Sequence, residues 1–379
     1  MTRLGQAKRL RAAGLLTALL ALTGCPMTSK NDAGLTILPD GGTPASRSDF
    51  LLAAGQCALQ NVKSFRDDAR LFAADAGAWG QAMTSWQRVE VMQFGPTASS
   101  TTPGGQDFRD QIYSWPLVSR CSVDETLTTG GYTGGVSSLL INRRGLAAAE
   151  YLLFSNPDEV TCGDVAGWAA LAATERAARK RAYASAVAND VRARAEDLVT
   201  AWEPFVETLH SAGPGNATYP TVQGALNRVS DAIFYLDTTI KDLKLAPPIG
   251  LRGCTTPPCL DAVESTWAHH NTANLRANLV GLRQLLEGCE PNYQGVGFDD
   301  LLDAQAAFSL RERLHAALDT AFAALDAIPD ADLYDALTAH PAEARAFYDA
   351  LKAVTDLLKS EFVTVLDVEL PMGLEGDND

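Results

Sequence analysis

The stretch Asn142-Arg143-Arg144-Gly145-Leu146-Ala147-Ala148-Ala149-Glu150-Tyr151-Leu152-Leu153-Phe154 decides the reading of this chain. A polar lead-in with one glycine turns into a run of strong helix formers, so a short helix is expected here. One carboxylate, Glu150, interrupts the apolar run. Helical spacing places Arg143, Ala147 and Glu150 on one face, at steps of four and three. A carboxylate in such a run is either a polar group paired between helices or a ligand for something bound.

Working outward, the flanking chain is helical. Leu51, Leu52, Cys57, Leu59, Val62, Phe65, Leu71 and Phe72 recur at helix-like spacing from Arg47 onward. Trp79, Met83, Trp86, Val89 and Met92 do the same over residues 77–93, and Gly95-Pro96 stops that helix. Polar loops are expected at residues 97–106 and 128–135, the second with four glycines. A long alanine-rich helix is expected over residues 164–208, kinked or ended by Pro204. The Gly/Pro/Asn segment 210–219 is the best domain boundary. Beyond it, amphipathic stretches cover residues 221–244, 260–287, 299–328 and 342–366.

The central stretch resembles the signature of the imelysin family, bacterial periplasmic proteins often attached to iron-uptake loci and carried under a metallopeptidase label. The family pattern is Gly-x-His-x-x-Glu followed by an aromatic-aliphatic run. Gly145, Glu150 and the flank Tyr151-Leu152-Leu153-Phe154 match it. The histidine position is Ala147, and a methyl group ligates no metal. Segments from Trp86 to Pro96, from Phe108 to Pro116, from Ala246 to Gly250 and from Asn274 to Leu279 are also similar, in the expected order, so the resemblance runs from about residue 47 to 366. It implies an all-α protein of two helical bundles packed side by side: residues 47–210 with the motif, and residues 220–370, followed by an acidic tail at 371–379.

The N-terminus reads as a targeting segment. Arg3, Lys8, Arg9 and Arg11 precede an apolar run, residues 12–22, too short to span a membrane. Leu22-Thr23-Gly24-Cys25 resembles a bacterial lipobox, which makes Cys25 the lipidated residue and residues 1–24 the signal peptide. The expected location is the cell envelope, lipid-anchored and facing the periplasm, at the outer membrane or the cell surface. Residues 25–46, rich in Pro, Gly, Ser and Thr, are expected to be a flexible tether.

Composition excludes some functions. With 46% hydrophobic and 20% charged residues the chain has a well-cored globular body. Its net charge of −15 becomes −19 once the four basic residues of the signal are gone, which argues against nucleic-acid binding. Besides Cys25 there are six cysteines: Cys57, Cys121, Cys162, Cys254, Cys259 and Cys289. An even number in an exported protein favours disulfides. Three fall in each half, so complete pairing forces at least one bridge between the halves. A zinc reading of Cys254-x4-Cys259 is the weaker alternative.

No His-Glu-x-x-His, Gly-x-Ser-x-Gly, P-loop or dinucleotide fingerprint is present. The candidate ligand-binding residues are Trp86, Glu90, Arg109, Arg143, Gly145, Glu150 and His270. Glu150 is the candidate metal ligand, for iron or zinc. Glu90 and His270 are candidates to face its cleft, and Arg109 and Arg143 are candidates to neutralise it if no metal binds. Trp86, Tyr113 and Trp115 are most simply core aromatics. His340-Pro341-Ala342-Glu343 reads as a helix start. The favoured function is a non-catalytic envelope lipoprotein that binds a metal, small ligand or partner between the bundles, with iron acquisition as the setting the resemblance implies. The alternatives are an imelysin-type metallopeptidase and an interaction protein with a vestigial site. Loss of the motif histidine counts against catalysis, because a catalytic zinc normally has three protein ligands.

Overall fold

Ser46 starts the folded body. Its Oγ accepts a hydrogen bond from the Asp49 N–H at 3.1 Å, and the Asp49 carboxylate accepts from the Ser46 N–H at 3.0 Å. This reciprocal capping box launches helix α1, Arg47–Ala74. The computed structural model describes residues 29–30, 36–37 and 44–374, apart from 159, 163–164, 166, 290, 330–331 and 372–373. The signal segment, Cys25 and the last residues of the acidic tail lie outside the described residues. Within the expected tether, Ser29–Lys30 and Thr36–Ile37 pair antiparallel. Those are the sole strands among the described residues.

From Pro44 onward the chain forms one compact all-α unit. After α1 come α2 (Trp79–Glu90), α3 (Phe108–Ile112), α4 (Arg120–Thr129), α5 (Gly145–Phe154), α6 (Ala173–His210) and α7 (Val222–Ile233). A π-helix at Leu236–Leu245 follows. Then come α8 (Asn271–Glu287), α9 (Phe298–Ala304), α10 (Phe308–Asp326), α11 (Leu333–Ala339), α12 (Pro341–Leu357) and α13 (Val363–Leu366). In the first half α1 lies along α6 and α2, and α5 packs on α6. In the second half α10 packs on α12, and α12 on the π-helix. The halves meet where α2 lies on α8. Gly281 permits that approach: a β-carbon there would stand 2.6 Å from the Arg88 carbonyl oxygen.

The expected apolar stripes form the core. Leu51, Cys57, Val62, Phe65 and Phe72 of α1 are buried, as are Trp79, Met83, Trp86, Val89 and Met92. Leu71 departs from the stripe and is 51% exposed, because it sits one helical step, about 100°, away from Phe72. Helix α6 begins at Ala173, later than expected. The segment before it is pinned by Trp168, buried and donating to the Asp158 carbonyl, and by the Cys121–Cys162 disulfide. Pro204 does not end α6. Phe205 and Leu209 beyond it are buried, and Phe205 meets the Trp202 and Tyr219 rings, so tertiary packing outweighs the lost backbone bond.

All six cysteines of the body pair: Cys57–Cys289, Cys121–Cys162 and Cys254–Cys259. The first joins the halves across 232 residues, the bridge that the three-and-three distribution requires. Closing so long a loop stabilises by about 5 kcal/mol on the chain-entropy account. The third occupies both thiols of the zinc alternative. Pro341 stands at the first turn of α12 behind His340, as a helix start.

Candidate functional site

Helix α5 is buried from Gly145 to Leu152, so contacts on every side fix its position. At its start Gly145 has φ +84°, and a β-carbon would lie 2.6 Å from the Ile112 carbonyl oxygen. Arg144 pairs with Asp190 of α6 at 2.8 Å, the Tyr183 hydroxyl donates to the Arg143 carbonyl, and the Trp79 indole donates to the Leu146 carbonyl at 3.0 Å. Further along, the Tyr151 hydroxyl donates to Asp124 of α4 at 2.7 Å. Gly145→Ala is expected to cost about 2–4 kcal/mol, from the left-handed backbone and the carbonyl clash together. Urea denaturation measures it, and a loss below about 0.5 kcal/mol would show that neither constraint holds.

This embedding presents Ala147 and Glu150 to a cavity of about 310 Å³. Its walls include Trp115 and Val118 before α4, Arg120 at the start of α4, Leu243 and Pro247 at the end of the π-helix, and the segment Asp261–Trp267. The cavity therefore lies between the halves, in the size range of small-ligand sites. Glu150 is 2% exposed. Its Oε1 accepts the backbone N–H groups of Trp267 and Ala268, each at 3.1 Å. Oε2 takes no hydrogen bond from the described residues. Burial pushes the carboxyl up to about 8, and the two N–H donors offset only part of that. The segment carrying those donors is held by Asn271. Its side chain accepts from the Ser265 N–H at 2.7 Å and donates to the Ser265 carbonyl and to Asp332.

Arg120 completes the wall. Its guanidinium lies 4.2 Å from the Trp267 ring centroid, a cation–π contact, and makes no ion pair with a described carboxylate. Behind the cavity, Glu264 belongs to a buried network centred on Lys244. The ammonium donates to Glu90 at 2.7 Å, Gln87 at 2.5 Å and Asn278 at 3.0 Å, and forms an ion pair with Glu264 at 2.8 Å. Glu264 also accepts from Tyr113, Gln87 and Asn274. Glu90 accepts from Arg109 at 3.0 Å and Tyr235 at 2.8 Å. Burial acts to raise Glu90, but the Lys244 and Arg109 cations outweigh it and hold the carboxyl low.

The profile of the imelysin (peptidase M75) family matches residues 51–360. The chain belongs to the imelysin family. It is 26% identical over 263 residues to an iron-regulated protein A from Synechococcus elongatus, across 68% of this chain and 61% of that protein. It thus spans less than two thirds of that relative. Among solved structures it resembles an imelysin-like protein from Psychrobacter arcticum (TM-score 0.59, 18% identity, 86% of this chain and 94% of the other). It also resembles a chain from Parabacteroides distasonis described as an iron-regulated protein A precursor (TM-score 0.60, 16% identity, 88% of this chain and 100% of the other). These two show the shared helical fold.

Against the imelysin motif, the structure gathers some of the expected residues and separates others. Glu150 and Ala147 share the cavity. Gly145 shapes the backbone behind it and does not line it. Arg143 and Arg109 do not neutralise Glu150: Arg143 lies ahead of α5 and pairs with Glu125 at 2.9 Å, and Arg109 pairs with Glu90 and Asp110. Glu90 is consumed by the Lys244 network and faces no open space. Trp86 is core, packed on Phe65. His270 does not line the cavity. Its Nε2 sits 2.9 Å from the Thr84 hydroxyl and its ring meets Trp79, and burial lowers its pKa. Among the described residues no three His, Cys, Asp or Glu side chains converge as a metal would require. The donor set at Glu150 therefore does not fit a resident metal: Ala147 supplies no ligand and Glu264 is closed by Lys244, Tyr113, Gln87 and Asn274. Sequence reasoning missed Arg120, Lys244, Asn271 and Trp267, whose roles depend on contacts far away in the chain.

Proposed function

We propose that this imelysin-family chain is an envelope binding protein that holds a small ligand in the cavity between its halves without cleaving peptide bonds. The observation that carries this reading is Glu150: buried, fixed through one oxygen by two backbone N–H groups, and with its other oxygen unpartnered in a cavity. That oxygen faces the cavity, where a ligand can reach it and supply the missing partner. Metal-dependent peptide hydrolysis needs about three protein ligands, and Ala147 removes one that the family motif would supply.

The lipobox supports an acyl anchor on Cys25 that tethers this body to a membrane. No helix of the described residues is long and apolar enough to cross one. Three disulfides suit an oxidising compartment outside the cytoplasm. The words "iron-regulated" and "precursor" in the relatives' names support an exported protein whose task is tied to iron supply.

Elemental analysis of dialysed protein tests the non-metal part. Wild type is expected to retain well under one equivalent of iron or zinc. Ala147→His, which restores an imidazole three residues before Glu150, is expected to tighten zinc by at least ~10-fold. Stoichiometric metal in wild type that disappears in Glu150→Gln would overturn this part.

A further inference from the structure

We propose that the cavity is built for a small hydroxycarboxylate, with the carboxylate on Arg120 and the hydroxyl on Glu150 Oε2. This rests on the cavity-binding reading above and names its ligand class.

The cavity offers two unfilled polar heads. Arg120 is a half-buried guanidinium with no described carboxylate in ion-pair range. Guanidinium forks bind carboxylates through two parallel hydrogen bonds. The second head is Oε2 of Glu150. Trp267 ties both together: its ring supports Arg120, and its N–H holds Glu150 Oε1. Ring and backbone thus set the spacing of the heads, and the Tyr151 ring buttresses the indole edge-on at 5.0 Å.

The remaining charges narrow the ligand. Glu264 has Oε1 engaged by Lys244, Tyr113 and Gln87 and Oε2 by Asn274, so neither of its oxygens is unpartnered. Asp261 lies exposed at the mouth, where its charge is screened. The deep end therefore presents one cation and one carboxyl oxygen. An ammonium group on the ligand would need Glu150 ionised in a site that disfavours ionisation. A second ligand carboxylate there could only accept from the protonated carboxyl, so that contact is lost as pH rises through about 8. A hydroxyl both donates and accepts, so it pairs with Oε2 in either state. The volume of about 310 Å³ suits a molecule of this size, and Trp115, Val118 and Val263 supply apolar wall.

The test is calorimetric titration of the full chain with citrate and with tricarballylate, the same tricarboxylate without the hydroxyl. Parallel thermal shifts with putrescine, zinc and ferric ion complete the panel. The variants are Arg120→Met and, to fill the cavity, Ala147→Phe; circular dichroism checks that both fold. Citrate should bind wild type at least ~10-fold more tightly than Arg120→Met. It should exceed tricarballylate by about fivefold, the worth of one hydrogen bond. Ala147→Phe should bind neither. Equal binding of the two acids, or citrate binding that survives Arg120→Met, overturns the assignment. A shift by putrescine or a metal alone, lost in Ala147→Phe, overturns the ligand class and leaves the cavity a binding site. Wild type and Ala147→Phe responding alike to every probe would remove both readings.

Discussion

Lys244→Met is expected to destabilise the protein by about 3–5 kcal/mol, the cost of breaking a buried ion pair from one side. Lys244 is 1% exposed and sits on the π-helix between the carboxylates of Glu90 and Glu264. Methionine fills much of the same volume but leaves Glu264 buried without a cation. Glu90 suffers less, because Arg109 and Tyr235 still serve its other oxygen. Adding Glu264→Gln should therefore recover part of the loss, since the amide is neutral and still accepts from Tyr113. Urea denaturation of the single and double variants measures both terms. A single-variant loss below about 1 kcal/mol would mean that the ammonium does not hold the two carboxylates. The same cluster joins the halves, because Gln87 and Glu90 come from α2 and Asn278 from α8. Its loss should also loosen the wall that carries Glu264.

What could be read from the sequence follows from the range of the forces involved. Helix periodicity is local, so the stripes of α1 and α2 stand out in runs of a few residues. Cysteine parity is global but needs only counting, and it foretold a bridge between the halves. Helix α6 began late because its lead-in is held by a disulfide and a buried Trp168, tertiary contacts that no local window contains.

The site was legible only at its one end. Glu150 announced itself as a charge within an apolar run. Its partners are backbone N–H groups 117 and 118 residues away, which carry no side-chain signature at all. Lys244 looks like an ordinary solvated charge in an amphipathic stretch, and only the fold reveals two carboxylates 154 and 20 residues off. Arg120 reads as an unremarked helix-start residue until Trp267 is placed beneath it. Arg109 and Arg143 were candidates to neutralise Glu150, yet closer carboxylates claimed them.

Glu150→Gln is expected to change how stability depends on pH rather than simply to weaken the fold. The ordinary value of the carboxyl is 4.5 and the folded value about 8. Between those limits the folded protein keeps a proton that the unfolded chain has released. Stability from this group is therefore fully present below about pH 4.5 and lost progressively as pH rises towards 8. The full swing is on the order of 4–5 kcal/mol. Glutamine keeps Oε1 as acceptor for the Trp267 and Ala268 N–H groups and cannot ionise. The variant should match wild type near pH 5 and exceed it by a few kcal/mol at pH 9. Chemical denaturation of both proteins at intervals from pH 5 to 9 reads the difference directly, and other titrating groups cancel. Parallel curves would mean that Glu150 is already ionised in the folded protein, so that some cation neutralises it. Diverging curves would mean that any cation entering the cavity must first displace a proton. Near neutral pH that competition weakens metal and amine ligands but leaves a hydroxyl group unaffected.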